Sequence, residues 1–101
     1  MHQPPDTARD EALLGELMSA YQAGHLEAFD RLYAALDDEL RSFFRHRSRE
    51  ADRVEDLLQE TFLQIHRSRR GYLPGRPVRP WVYAIAKHVL ERTLFGRELS
   101  L

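Results

Sequence analysis

The sequence has no cysteine. Disulfides and thiolate metal sites are excluded, and a reducing compartment fits. No apolar run exceeds a few residues, so no segment is long enough to span a bilayer. The opening Met1-His2-Gln3-Pro4-Pro5-Asp6 lacks both the basic and the apolar stretch of a secretion signal. A cytoplasmic protein with no membrane partner is expected. Period-2 alternation is absent, which argues against strands. Glycine and proline are few, five each, and half of the ten lie between residues 71 and 80. That crowding leaves no helix or ladder strand there and marks a loop. Acid is also missing locally: no Asp or Glu occurs from Thr61 to Leu90, while Arg67, Arg69, Arg70, Arg76, Arg79 and Lys87 do.

The net charge of -1 therefore hides a division. Residues 1–40 hold two basic and nine acidic residues, a balance of -7; residues 41–101 hold thirteen and seven, a balance of +6. One-sided clustering is the footprint of a polyanion-binding face, although a solubilising face segregates charge in the same way. With 101 residues, 43% hydrophobic and 31% charged, the chain suits one soluble domain with a modest core.

Helical periodicity dominates what is present. Leu13, Leu14, Leu17, Met18 and Tyr21 form one stripe, and Gly24 can take the left-handed position that ends the helix. The residues before it, 1–9, are expected to fray. A longer stripe runs through Leu26, Phe29, Leu32, Tyr33, Leu36, Leu40, Phe43 and Phe44, with Arg41, Arg45 and Arg47 near its C-terminus. After the polar connection Ser48–Ala51, Asp52 and Glu55 have capping-box spacing, which makes Asp52 the expected cap of a third helix. Its stripe is Val54, Leu57, Leu58, Thr61, Phe62 and Ile65, ending near Arg69. Pro80 can sit in the first turn of a fourth helix carrying Trp81, Val82, Ile85, Ala86 and Val89. That helix is expected to run to about Leu94 and to stop at Gly96. Four helices with short connections predict an all-α bundle.

Enzyme signatures are absent. No histidine has a glutamate three residues before it, and His-Glu-x-x-His does not occur. His2, His25, His46, His66 and His88 share no ligand spacing, and Gly71-x-x-x-Gly75 lacks the Lys-Ser/Thr of a phosphate loop. No catalytic residue, metal or cofactor is expected.

Two stretches are more specific. In Glu55-Asp56-Leu57-Leu58-Gln59-Glu60-Thr61-Phe62 the apolar positions and Thr61 face inward, leaving Glu55, Asp56, Gln59 and Glu60 as an acidic outer face. An ordinary solvated helix face gives the same composition. From Tyr72 to Lys87, aromatics (Tyr72, Trp81, Tyr83) alternate with cations (Arg76, Arg79, Lys87). Proteins that hold unstacked bases use this mixture, since cations track phosphates and rings stack on bases. Trp81 also fits the apolar stripe and so has a core reading beside the functional one, whereas Tyr83 lies off the stripe.

These stretches, in this order, resemble the promoter-melting domain (region two) of the extracytoplasmic-function sigma factors. Gly24-His25-Leu26-Glu27-Ala28-Phe29-Asp30-Arg31-Leu32-Tyr33 is similar to the family's opening, Glu55–Phe62 to its glu-asp-leu-x-gln-glu-x-phe run, and Pro80–Lys87 to its tryptophan-led fourth helix. The resemblance covers roughly residues 12–92. It implies that Glu55, Asp56, Gln59 and Glu60, with Asp52 nearby, dock on the clamp helices of the largest subunit of core RNA polymerase. It also implies that Arg69, Arg70, Tyr72, Arg76, Arg79, Trp81, Tyr83 and Lys87 hold the non-template strand of the minus-ten element, with a base flipped from the stack. An anti-sigma factor is a further implied partner, and the nucleoid the place of action.

Three departures stand out: Ala84 where the family often has arginine, His88 where asparagine is common, and His25 in place of an acidic cap. Residues 10–95 are expected to form the domain and 96–101 a tail, with the family's second, helix-turn-helix domain absent. A lone domain should hold polymerase and single-stranded promoter DNA weakly. A sigma-like decoy that binds an anti-sigma factor without promoting transcription is the alternative reading.

Overall fold

A computed structural model of the chain describes residues 7–48 and 50–99, with the side chains of residues 10–48 and 50–93. Four α-helices follow one another: α1 (Thr7–Gln22), α2 (Leu26–Arg47), α3 (Ala51–Ser68) and α4 (Val78–Leu99), with a single 3₁₀ turn at Arg69–Gly71. Each helix packs on the next, and α4 closes back onto α1, so the expected all-α bundle forms. Of the residues expected to fray, those before Thr7 lie outside the described residues, and α1 already begins at Thr7.

Gly24 ends α1 as its position predicts. Its φ is +101°. The Gly24 amide donates to Tyr21 O and the His25 amide to Ala20 O, both at 3.0 Å, which is the paired closure of a Schellman motif. The tight turn sends α2 back along α1, and Leu14, Leu17, Met18 and Tyr21 meet Ala28, Leu32, Leu36, Leu40 and Phe44 in one core. Leu13 and Leu26, at the edges of their stripes, stay exposed.

In α3 every residue of the predicted stripe is buried. Its start differs from expectation. The cap is Glu50, not Asp52, and no side-chain hydrogen bond closes it. Asp52 lies inside the first turn, where its charge suits the helix dipole without capping. The hydroxyl of buried Thr61 donates to Leu57 O at 2.7 Å, so its polar atom costs the core little.

Helix α4 begins two residues before Pro80, which sits in the first turn where its absent N–H is harmless. The helix does not stop at Gly96 but continues to Leu99. An interior glycine costs roughly 1 kcal/mol relative to alanine, a bias that a 22-residue helix absorbs. Val78, Val82, Ala86, Val89 and Leu90 complete the core, with Trp81 and Ile85 at its edge.

Candidate nucleic-acid and partner interfaces

The outer face of α3 is built by elimination. Once Val54, Leu57, Leu58, Thr61, Phe62 and Ile65 turn inward, helical geometry leaves Asp52, Glu55, Asp56, Gln59 and Leu63 together outside. Glu60 lies at the flank and accepts from Gln64 Nε2 at 3.0 Å. Glu55 is ion-paired with Arg41, which also reaches Asp37 at 3.4 Å. Those two carboxylates, Glu55 first, hold the Arg41 guanidinium above its ordinary pKa. Asp56 and Glu60 also border, with Arg53 and Arg92, a groove of about 410 Å³ between α3 and α4. Leu63 is 41% exposed amid this polar face. Its place outside the α3 apolar stripe is the one sequence signal of that exposure.

The loop before α4 is braced from two sides. Gln22, at the end of α1, donates from Nε2 to Arg69 O at 2.6 Å and to Tyr72 O at 2.7 Å. The Tyr72 hydroxyl donates to Arg76 O. Leu73-Pro74-Gly75-Arg76 forms a turn closed by the Arg76 amide on Leu73 O at 3.2 Å, with Gly75 at φ +92°. Proline followed by a positive-φ glycine is the type II pattern. Leu73, Pro74 and Arg76 are left exposed on a tied-down turn.

The residues expected to touch nucleic acid fall into two groups. Arg70, Arg76 and Lys87 are exposed and form no ion pair among the described residues. Arg67, at the end of α3, joins them. Trp81 is half-buried; its ring meets Tyr72 at 5.4 Å, and it lines a groove of about 290 Å³ with Gln64, Ser68, Ala84, Ile85 and His88. Arg69 is half-buried, its Nη1 donating to His66 O at 2.7 Å and its guanidinium 5.7 Å from the Tyr21 ring.

The second group is turned inward. Tyr72 is 2% exposed, so its ring offers no face to a base. Burial, and then the charge of Glu11, raise its phenol above the ordinary pKa. Arg79 is enclosed by three carboxylates: Glu39 at 2.9 Å, and Glu11 and Asp10 at 3.5 Å. The hydrogen bond to Glu39 is the main reason its pKa is raised. Tyr83 donates to Glu39 at 3.1 Å and packs edge-on against Phe43. Its phenol is pushed up to about 12, mainly by burial, with Glu39 adding to it and Arg79 and Arg47 opposing. Two positions apart on a helix, Trp81 and Tyr83 lie on opposite flanks of the buried stripe. The alternation in sequence is therefore not one aromatic platform in space.

Among the described residues no cluster of His, Asp and Glu is arranged to hold a metal ion, and no helix is long and apolar enough to cross a membrane.

Residues 32–98 match the family described as Sigma-70 region 2. The chain is 35% identical over 77 residues to the RNA polymerase sigma factor CarQ of Myxococcus xanthus, covering 76% of this chain and 44% of that protein. It is 32% identical over 90 residues to the ECF RNA polymerase sigma factor BldN of Streptomyces coelicolor, covering 88% of this chain and 34% of that one. It is 31% identical over 77 residues to the ECF RNA polymerase sigma factor SigM of Mycobacterium tuberculosis, covering 76% and 39%. The chain thus spans less than half the length of each of these relatives. No solved structure matches it at a significant level. The acidic face of α3, the braced loop and all but the last residue of the tryptophan-led α4 fall within the matched segment, and the chain belongs to the Sigma-70 region 2 family, as the corresponding domain of the extracytoplasmic-function sigma factors.

Proposed function

We propose that this domain binds core RNA polymerase and holds the melted minus-ten element during transcription initiation. The observation that carries the reading is the presence, on one bundle of this family, of two separate exposed surfaces. One is the carboxylate face of α3 around Leu63; the other is the set of exposed cations, Arg70, Arg76 and Lys87, with the half-buried tryptophan of α4.

In this reading Asp52, Glu55, Asp56, Gln59 and Glu60 dock on the clamp helices of the polymerase's largest subunit. Leu63 supplies the apolar contact that a purely charged face lacks. Arg69, Arg70, Arg76 and Lys87 track the phosphates of the non-template strand, and Trp81 offers a stacking surface. Tyr72, Arg79 and Tyr83 are held inward and fix the loop and the start of α4. A braced loop loses little conformational entropy on gripping a strand, which favours binding. The domain acts in the cytoplasm, on the nucleoid, and an anti-sigma factor is a further partner. The relatives named above are themselves sigma factors, and no observation favours the decoy reading.

Two measurements test this. Fluorescence anisotropy with single-stranded oligonucleotides randomised at the minus-ten positions should show base preference. Affinity should drop in Arg70→Ala and Arg76→Ala and fall with rising salt. The paired reversal Asp56→Lys with Glu60→Lys should abolish binding to core polymerase while leaving the fold intact, since Asp56 is exposed and Glu60 lies at the edge. Unselective DNA binding together with normal polymerase binding by that variant would overturn the reading.

A further inference from the structure

Among the described residues, Arg79 is the one cation of the acid-free stretch that the fold surrounds with acid. Its Nε donates to both Glu39 oxygens, at 2.9 and 3.2 Å, and its Nη2 to Glu39 Oε2 at 3.1 Å. Glu11 and Asp10, from α1, complete the enclosure at 3.5 Å. The two α1 carboxylates differ from Glu39 in a telling way. Glu39 also holds Tyr83 and belongs to the α2–α4 packing. Glu11 instead places its oxygens on the first amides of α4, at 2.8 Å from Val78 N and 3.2 Å from Arg79 N. A carboxylate that takes two backbone N–H groups at a helix start and a guanidinium beside them satisfies the donors that an oxygen of a phosphodiester takes. Asp10 is exposed, its side chain 50% accessible, while Glu11 keeps 21%, so the pair opens to the surface at Asp10 and a strand would enter from that side.

We propose that Asp10 and Glu11 form an autoinhibitory clasp: they act as an internal mimic of a nucleic-acid phosphate, and a phosphodiester of the single strand must displace them to reach Arg79 and the start of α4. The inference rests on the promoter-binding reading and adds regulation to it. The charge division of the chain acquires a use, because the acidic first helix lowers the affinity of the basic fourth for DNA in general. Only a strand already held by Arg70, Arg76 and Trp81 presents its phosphate at sufficient local concentration to open the clasp.

The test compares the full chain with Asp10→Asn/Glu11→Gln, measuring affinity for a mixed-sequence single-stranded oligonucleotide over a range of salt. The clasp predicts roughly three- to tenfold tighter binding at low salt, with a log–log salt slope steeper by about 0.7, one phosphate more. Adding Arg79→Gln in the same background should remove that gain, because the guanidinium the freed phosphate would reach is gone. Glu27→Gln/Asp30→Asn makes the same change in net charge at exposed positions of α2 and should give much less. Unchanged or weaker binding by Asp10→Asn/Glu11→Gln overturns the clasp and leaves these residues a purely structural role, which a lowered melting temperature would register. An equal gain from the α2 pair also overturns it, in favour of bulk charge. If the gain appears without base preference in either protein, the clasp stands and the promoter reading falls.

Discussion

Tyr83 keeps its phenol on Glu39 and its ring on Phe43. Burial and that carboxylate together raise its pKa from 10.0 to about 12. A group that holds its proton more tightly when folded stabilises the fold below its unfolded value and loses that contribution as pH rises through the folded value. Stability should therefore decline between pH 10.0 and about 12, and the decline should be shallower in Tyr83→Phe. Tyr21 and Tyr72 are shifted the same way by burial, so the variant should retain part of it. Urea unfolding at stepped pH reads the difference, and parallel curves would rule out Tyr83 as a source. Individual partners of this kind were not legible in the sequence. Arg79 and Tyr72 read there as DNA contacts because the residues around them are basic and aromatic. The carboxylates that enclose Arg79 lie 40 to 69 positions away, and Tyr72 is drawn inward by packing that no local pattern announces. Arg70, Arg76 and Lys87, which form no ion pair among the described residues, stand exposed.

Elements were far more legible, because a helix is written in the spacing of its apolar residues. The α3 stripe was read in full from a 3.6-residue period. Leu58→Ala, at a fully buried position of that stripe, should cost about 2–5 kcal/mol, whereas Gln59→Ala, next to it on the exposed face, should stay within about 0.5 kcal/mol. Thermal unfolding by circular dichroism separates the two, and similar losses would mean that α3 is not seated as described. The ends of elements were less legible. The capping-box spacing pointed to Asp52, but the backbone leaves the helix at Glu50, and a glycine in α4 did not halt it. Terminal signals are worth about 1 kcal/mol each, so packing further along can override them. At the loop the signals sufficed only in part: residues 71–80 read as a stretch without helix, yet Gly71 closes a 3₁₀ turn and α4 already begins at Val78, where proline is tolerated in a first turn. Between them Pro74-Gly75 forms the turn, and Gly75 has open space for a methyl group but a φ of +92°. Gly75→Ala should thus cost about 1–2 kcal/mol through backbone strain alone.

At the scale of the molecule, the order of helices gave the fold class, but which helix braces which surface came only from tertiary pairing. The family match begins at residue 32, within α2, and leaves α1 outside it. Physically α1 is not an appendage. Leu14, Leu17 and Met18 are buried in the common core, and burying such side chains contributes about 1.5–3 kcal/mol each, or roughly 5–9 kcal/mol together as an upper estimate. That is comparable with the whole net stability of an ordinary domain, about 5–15 kcal/mol. To this α1 adds buried Tyr21, hydrogen-bonded to His66, and Gln22 on two loop carbonyls. A chain confined to residues 32–98 should therefore keep helical signal yet show no cooperative thermal transition, and its loop should lose base preference along with its brace. Full-length chain with Gln22→Ala separates the two effects: the core stays, two hydrogen bonds go, and selectivity should weaken while the melt remains cooperative. A sharp melt from residues 32–98 would instead mean that α3, α4 and the part of α2 from Leu32 onward suffice, and that α1 serves only the surface it covers.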